Sequence, residues 1–281
     1  MTPGVVEIAV LGDLHGCLSA AEDAPLLAPY PLRLCTGDLA PNGGRHRFDE
    51  ALRQAHDLAA LSTWTILGNH DGPTCFTGKR FPKSYVALEE ALNGFHVALR
   101  RIELPELDLT LVGGRPLTFG SSESSPTKHP VPGREDWGHA RYGEEILALL
   151  RQARGSRIVV LAHDGPTGLG SQRHDIYGCD FRAEAGDWGD PDLRAALDVA
   201  RADRLPIVAV IAGHMHHHLA GGGQRVRSVR EAGVLHLNAA LVPRVGRDGR
   251  ALFVVRLEGL HASARLEWHR GDGRVDAETV A

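Results

Sequence analysis

The chain has 281 residues, of which 43% are hydrophobic and 23% charged, and its formal net charge is −4. This length supports a substantial hydrophobic core, and we predict a single domain spanning residues 1–281. The slightly acidic charge and the lack of a basic block argue against a duplex-binding nucleic-acid partner. No apolar run approaches the 18 residues that a membrane-spanning helix needs, so we expect no membrane partner.

The four cysteines, Cys17, Cys35, Cys75 and Cys179, share no C-x-x-C spacing. The chain also does not open with a basic stretch followed by an apolar one. This pattern favours free thiols in a reducing compartment, so we predict a cytoplasmic protein. The oligomeric state stays open.

The first third of the chain alternates predicted strands with a helix. Residues 5–11 form a continuous apolar run, typical of a strand buried on both faces, and shorter runs follow at 32–36 and 63–67. Between the last two, apolar residues from Phe48 to Leu61 recur at helical spacing. This order predicts a β-α-β beginning and an α/β fold.

The rest of the chain adds strands and helices around two long irregular segments. The periodicity predicts helices at 85–92, 142–154 and 191–202, and strands at 102–104, 109–113, 158–162 and 207–212. Residues 115–140 and 164–190 are long enough to be functional loops or lids. Near the end, short apolar runs separated by turns predict antiparallel strands at 234–237, 251–257 and 264–268.

Polar clusters follow five of the predicted strands. Their potential metal ligands are Asp13, His15, Asp38, Asn69, His163, His214 and His216. Taken singly, each has an ordinary explanation, since Gly-Asn pairs favour turns and isolated histidines are often merely buried. The ordered set is different, because residues at the carboxyl ends of strands in an open α/β sheet converge on one crevice. We therefore predict that all seven form one site.

The ligand types narrow the choice of metal. Asp13 and His15 are two residues apart, so in an extended segment both face one ion, and His214 and His216 repeat this spacing. Asp38 is the lone carboxylate able to bridge two ions with its two oxygens. Imidazole mixed with carboxylate and amide oxygens suits Mn, Fe, Co, Ni or Zn better than an all-oxygen Ca or Mg site. We predict two divalent transition-metal ions as cofactors, with manganese favoured.

The order of these clusters, D-x-H, GD, GNH[DE], H and GHxH, resembles the five signature blocks of the calcineurin-like metallophosphoesterase superfamily over residues 13–216. Phrases at 113–116, 162–166, 186–193 and 237–240 resemble a subgroup of that superfamily from cyanobacteria and plants. The resemblance implies a central β-sandwich of two mixed sheets flanked by helices, in four αββα layers. It also implies two ligand sets: Asp13, His15, Asp38 and His216 for the first metal, and Asp38, Asn69, His163 and His214 for the second.

On this basis we predict a phosphoesterase that hydrolyses a phosphomonoester or phosphodiester of a small molecule or nucleotide by metal-activated hydroxide. Two catalytic residues are predicted: His70 stabilises or protonates the leaving oxygen, and Asp71 orients the His70 ring. The long segments supply candidate substrate contacts, namely Arg115, Arg173 and His174, with Lys128, His129 and Tyr177 as further candidates.

Three alternatives stay open. A binding or scaffold protein could keep the fold without turnover, because fold does not fix function. A serine/threonine protein phosphatase is disfavoured, because that class continues its second and third blocks as GDxxDRG and GNHE. Here residues 37–44 read GDLAPNGG and residues 68–71 read GNHD. A nuclease is disfavoured by the acidic net charge.

Overall fold

The computed structural model describes residues 4–43, 46–73, 81–120, 130–247 and 249–281. Within these ranges the chain forms two mixed β-sheets and five α-helices. The helices are α1 (Ala20–Leu27), α2 (Arg47–Ala60), α3 (Phe81–Ala91), α4 (His139–Arg151) and α5 (Pro191–Ala202). The strands are β1 (Val6–Leu11), β2 (Leu32–Cys35), β3 (Trp64–Thr65), β4 (Arg101–Leu104), β5 (Leu109–Gly113), β6 (Arg157–Leu161), β7 (Ile207–Ala212), β8 (Ser228–Glu231), β9 (Val234–Asn238), β10 (Val245–Gly246), β11 (Gly249–Glu258), β12 (His261–Arg270) and β13 (Val275–Thr279).

The first sheet combines the beginning of the chain with its end. Its strand order is β13-β12-β11-β1-β2-β3, with the short β10 also paired to β11. Strands β1, β2 and β3 run parallel, whereas β11 pairs with β1 antiparallel. The carboxyl ends of β1, β2 and β3 therefore lie at one edge of this sheet.

The second sheet has the order β4-β5-β6-β7-β9-β8. Its four central strands are parallel, and β4 and β8 are its antiparallel edge strands. The loops after β6 and β7 consequently leave the sheet on the same side.

The two sheets pack face to face with helices outside, as predicted. Alternate residues of the buried strands point to opposite faces. Ile8 and Val10 join one core cluster with Val159 and Ile211 of the second sheet. Their neighbours on β1, β6 and β7 join a second cluster with residues of all five helices, including Ala9, Leu11, Val160, Val210, Leu27, Leu58, Leu88, Ile146 and Leu193.

Two expectations for the final third are corrected. The run at 234–237 was predicted to be antiparallel, but β9 is parallel to β7 and antiparallel only to β8. Strands β8 and β13 were not predicted, because they are edge strands whose residues are partly or fully exposed and carry no apolar alternation. In the described ranges, none of the helices combines the length and apolar character needed to cross a membrane.

Candidate metal centre

The seven predicted ligands come together where the two sheets present the carboxyl ends of their parallel strands. Asp13 and His15 follow β1, Asp38 follows β2, and Asn69 lies in a 3-10 turn (Asn69–Asp71) that follows β3. The second sheet contributes the others: His163 follows β6, and the pair His214 and His216 follows β7.

Unusual backbone conformations bring these side chains inward. His15, Asp38 and His214 have φ angles of 44°, 50° and 66°, in the left-handed region that costs energy for residues with a Cβ. Such strain clusters at functional sites because the surrounding structure imposes it.

Two glycines of the motifs are required by close approach. A Cβ at Gly68 would lie 2.2 Å from Oδ1 of Asp38, and one at Gly213 would lie 2.1 Å from Oδ1 of Asp13. Neither position has room for a side chain, because the ligand carboxylates occupy that space.

The first ligand cluster contains Asp13, His15 and His216, whose ligand atoms all lie within 4.8 Å of one another. The Nε2 atoms of His15 and His216 are 3.1 Å apart. Nε2 of His216 is 3.7 Å from Oδ2 of Asp13.

The second cluster contains Asp38, His163 and His214, again within 4.8 Å. Oδ1 of Asn69 is 2.9 Å from Nε2 of His163, so the amide oxygen belongs to the same cluster. Oδ1 of Asp38 faces Nε2 of His163 at 3.5 Å, whereas its Oδ2 faces Nε2 of His15 at 3.6 Å. The two carboxylate oxygens of Asp38 thus point to different clusters.

The donor set fits two metal ions. Nε2 of His214 is buried and has no hydrogen-bond partner in the described part of the chain. A buried, unpartnered ring nitrogen is costly unless it serves as a ligand or donor to something not provided by the protein. Among the described residues, the clusters contain nitrogen and oxygen atoms and no thiolate, which suits first-row transition metals.

Outer hydrogen bonds fix the orientation of the ligands. Nδ1 of His163 lies 2.8 Å from the carbonyl oxygen of Thr36, and Nδ1 of His15 lies 3.2 Å from that of Ala40. A carbonyl only accepts, so each Nδ1 carries the proton and leaves the Nε2 lone pair free for a metal. The Thr36 hydroxyl donates to Oδ1 of Asp13 at 2.8 Å.

The electrostatics of the second cluster favour a charged Asp38 carboxylate and a neutral His214 ring. Burial tends to raise the pKa of Asp38, but the surrounding histidines, His163 first among them, bring it below its usual range. Burial and the nearby His163 hold the pKa of His214 well below its usual value. A neutral His214 ring is the form that binds metals.

The two predicted catalytic residues lie at the cavity wall and behind it. The half-buried His70 lines the cavity, and its ring meets that of His15 edge-on, with centroids 4.9 Å apart. Asp71 is fully buried, and its carboxylate accepts hydrogen bonds from the amides of Ala40 and Gly68 at 3.0 and 2.9 Å. Asp71 therefore connects the loop that contains Ala40 to the loop that contains Gly68. Its effect on the His70 ring stays a prediction.

Arg115 does not lie where a substrate contact would require. Its side chain is completely buried, and it donates to Oδ1 of Asp190 at 3.0 Å and to Oδ2 of Asp192 at 2.6 Å. The segment 113–116 instead supplies a buried cation beside the carboxyl groups at the start of α5. Direct contact of Arg115 with a substrate is thus a wrong prediction.

Three other predicted contacts, Arg173, His174 and Tyr177, do not line the cavity at the metal clusters. The exposed Arg173 donates to the carbonyl oxygen of Asp180 at 3.2 Å, and His174 projects away with 64% of its side chain exposed. Tyr177 is buried within the same segment. Lys128 and His129 lie outside the described residues.

The cavity over the clusters has a volume of about 340 Å³. Besides the metal ligands and His70, it is lined by Phe119, Asp180, Phe181, Met215, His218 and Ala220. These residues were missed because they come from irregular segments without periodicity. A larger cavity of about 970 Å³ lies between α1 and the β11–β12 hairpin, and its lining includes none of the seven ligands.

Arg225 and Asn238 support the cavity and were also missed. Buried Arg225 donates to the carbonyl oxygens of Arg173 and Asp175, both at 2.9 Å. Asn238 donates to those of Ile176 and Met215 at 3.0 and 2.7 Å. Both residues thus connect the 164–190 segment to the region around the β7 loop. The sequence segment 237–240, which resembles a subgroup of the superfamily, could have indicated Asn238.

A two-sheet α/β sandwich with two N/O ligand clusters at one edge defines a candidate dinuclear metalloprotein. The family model for calcineurin-like phosphoesterases matches residues 6–218, and the chain belongs to that family. A comparison with curated proteins gives no match.

The solved structures to which this chain is similar are distant in sequence. The sulfate thiohydrolase SoxB from Thermus thermophilus is 12% identical with a TM-score of 0.51; the match covers 98% of this chain but 56% of the SoxB chain. A hypothetical protein from Thermus thermophilus is 14% identical, with 99% and 100% of the two chains covered and a TM-score of 0.47. A Vps29 mutant from Entamoeba histolytica is 16% identical, with 98% of each chain covered and a TM-score of 0.35.

Proposed function

We propose that this protein is a metal-dependent phosphoesterase that holds two divalent transition-metal ions and hydrolyses a phosphomonoester or phosphodiester of a small molecule or nucleotide. The observation that carries the proposal is the placement of Asp38, whose two oxygens face separate clusters. A carboxylate so placed between two groups of ligands is suited to bridge two ions. Asp13, His15 and His216 complete one site, and Asn69, His163 and His214 complete the other.

When bound, the two ions polarise the phosphoryl group and activate water as a nucleophile. The chain sets the charge of the site, because Asp13 and Asp38 are the two anionic members among seven ligands. Two divalent ions with two carboxylates leave the centre positively charged, which favours an anionic phosphate ester over a neutral ester.

His70 supplies the remaining chemistry. Its backbone amide donates to Oδ1 of Asp38 at 2.9 Å, which places its half-buried ring at the cavity wall beside His15. From there we assign it stabilisation or protonation of the leaving oxygen, a contribution typically worth ~10²- to 10⁴-fold in rate.

Manganese is the favoured metal, with iron, zinc, cobalt and nickel as alternatives, because the ligands are imidazole, carboxylate and amide without thiolate. The non-catalytic alternative has less support. A scaffold protein would not need the unpartnered Nε2 of His214 or the hydrogen bond from Thr36 that orients Asp13. It would also not need His70 at the wall of the same cavity.

The test is a substrate panel with purified, manganese-loaded protein. It compares monoesters, diesters, cyclic nucleotides and dinucleoside polyphosphates between wild type, Asp13→Asn and Asp276→Asn. We expect turnover of at least one class by wild type and by Asp276→Asn, whose substituted residue lies on edge strand β13. Asp13→Asn should lose it. No turnover of any class by fully loaded wild type would reject the enzymatic proposal and favour the scaffold.

A further inference from the structure

Phe119 and Phe181 line the cavity, and Trp188 packs against both of them; we call these three side chains the aromatic wall. The ring centroids of Phe119 and ligand His214 are 5.9 Å apart, and those of Phe119 and Trp188 are 6.4 Å apart. The rings of Trp188 and Phe181 meet edge-to-face at 5.1 Å and 87°. A continuous series of ring contacts therefore leads from the metal ligands to the surface.

The members of the wall differ in exposure. Trp188 is 5% exposed, and the guanidinium of Arg182 lies 4.2 Å from its ring centroid. Phe181 is 51% exposed and lines the same cavity as His70, His214 and His216. Within the described ranges, it is the single aromatic residue among the exposed large hydrophobic side chains. The ring thus has an uncovered apolar surface beside the proposed reaction centre.

The preceding residue holds Phe181 in this place. One oxygen of Asp180 accepts from Arg225 at 2.8 Å, and the other accepts from the amide of Ala220 at 2.8 Å. These bonds connect the 164–190 segment to the loop after β7. They also balance the Asp180 charge at the cavity rim, where an uncompensated carboxylate would repel a phosphate.

We propose that Phe181, supported by Trp188 and Phe119, binds a planar ring in the substrate. The substrate class is then a phosphate ester that carries an aromatic or nucleobase ring next to the phosphoryl group. This inference rests on the proposed function for its reaction, but ring binding has a separate readout. Aromatic pairs contribute ~0.5–1.5 kcal/mol beyond area burial, which corresponds to at most about a tenfold change in affinity.

Non-hydrolysable probes test ring binding directly. Calorimetry measures the affinity of metal-loaded protein for methylphosphonate, cyclohexylphosphonate and phenylphosphonate, which share the phosphonate and differ in the attached group. We expect wild type to bind phenylphosphonate about tenfold more tightly than methylphosphonate. In Phe181→Ala this ratio should fall to about one.

Two further variants control for misfolding and for the loss of any exposed apolar side chain. Phe181→Leu keeps an apolar cover on Trp188, so it should fold like wild type but lose the preference for phenyl over cyclohexyl. Leu260→Ala removes another exposed apolar side chain, 63% exposed in the β11–β12 turn, and should keep the wild-type ratios. Equal affinity of wild type for the three phosphonates, or a phenyl preference that survives Phe181→Ala, would overturn the inference.

Kinetics separates this inference from the proposed function. For phenyl phosphate, Phe181→Ala should raise KM by up to about tenfold, whereas kcat/KM for glycerol 2-phosphate should stay within about twofold. If wild type turns over no class of the substrate panel yet prefers phenylphosphonate, the hydrolytic proposal fails and the ring site stands. An equal change for both esters would show that Phe181 acts on the centre as a whole and would reject a ring subsite.

Discussion

Asp38 is placed to contribute to the binding of both ions. Its oxygens face His15 and His163, so Asp38→Asn removes an anionic oxygen from both clusters and increases the repulsion between two cations. We expect elemental analysis to find well under one ion per chain in Asp38→Asn and about one in Asn69→Ala, whose amide reaches one cluster only. Asp276→Asn is the control and should match wild type. Unchanged metal content in Asp38→Asn would contradict the bridging assignment.

His70 allows chemistry to be separated from metal binding. Its side chain lines the cavity but is not part of either ligand cluster, so His70→Ala should retain both ions. Turnover of alkyl phosphates should slow by ~10²- to 10⁴-fold, and that of nitrophenyl phosphate much less, because an acidic leaving group needs little proton donation. Steady-state rates on both esters decide the question. An equal slowing would favour simple electrostatic stabilisation by His70.

At the residue scale, the seven candidate ligands could be picked out because each follows a strand, and Asp13, Asp38, Asn69 and His214 each follow a glycine that admits no side chain. The Gly68 and Gly213 contacts show the physical reason for that pattern. Phe181 and Arg225 could not be predicted, because their roles depend on how irregular loops fold against each other. Arg115 was misassigned for a related reason: an arginine in a loop resembles a surface residue until its buried partners are known.

At the scale of elements, buried ion pairs as well as backbone hydrogen bonds hold the 164–190 segment in place. Arg115 contacts the carboxyl groups of Asp190 and Asp192 at the start of α5, and burial with Asp192 nearby raises the pKa of Asp190 to about 8. Arg115→Met leaves buried Asp192 without its main countercharge, so we expect a loss of about 3 to 5 kcal/mol in unfolding free energy.

The loss of unfolding free energy in Arg115→Met should depend on pH in a defined direction. Without Arg115, the folded-state pKa of Asp192 should rise above its unfolded value, so stability falls as pH increases through the new pKa. Urea unfolding should therefore show a larger deficit at pH 8 than at pH 5. Exposed Arg173→Met should change stability by no more than about 0.5 kcal/mol. A deficit that is independent of pH would point to lost packing instead of uncompensated charge.

Element types were predictable where an apolar run or a helical period marks them, and not at edge strands without such a pattern. Strands β5 and β7 and helix α5 have the predicted bounds, because continuous apolar runs or a clear helical period define them. Strand β3 is shorter than predicted. Strand β13 was not predicted, because every residue of this edge strand is exposed. The direction of β9 depends on its pairing with β7, a non-local contact that local sequence does not encode.

At the scale of the whole molecule, a buried histidine makes stability depend on pH apart from the metal centre. Burial lowers the pKa of His236 on β9 to about 4, below the value of about 6.5 in unfolded chains. The unfolded state therefore binds the proton first, and stability is lost as pH falls from about 6.5 towards 4. At pH 5 the loss from this residue should be about 2 kcal/mol relative to pH 7.

His236→Leu should remove that part of the acid sensitivity. The measurement is urea unfolding at pH 7 and pH 5, with His261→Leu as the control because His261 is exposed at the start of β12. If wild type and His236→Leu lose the same free energy between the two pH values, His236 is not the source.

The candidate metal ligands come from both sheets. Asp13, His15, Asp38 and Asn69 follow strands of the first sheet, whereas His163, His214 and His216 follow strands of the second, and each cluster takes ligands from both. Ions that bind only this arrangement stabilise the folded state as a whole, by about 2.7 kcal/mol when the free metal is at 100 times its Kd. We therefore expect chelation to lower Tm and about two equivalents of manganese to restore it. Asp38→Asn should show little change in Tm on either treatment, while Asp276→Asn should respond like wild type. A Tm that is indifferent to chelator and metal in wild type would mean that the clusters do not bind ions tightly, and both the metal centre and the hydrolytic proposal would lose their basis.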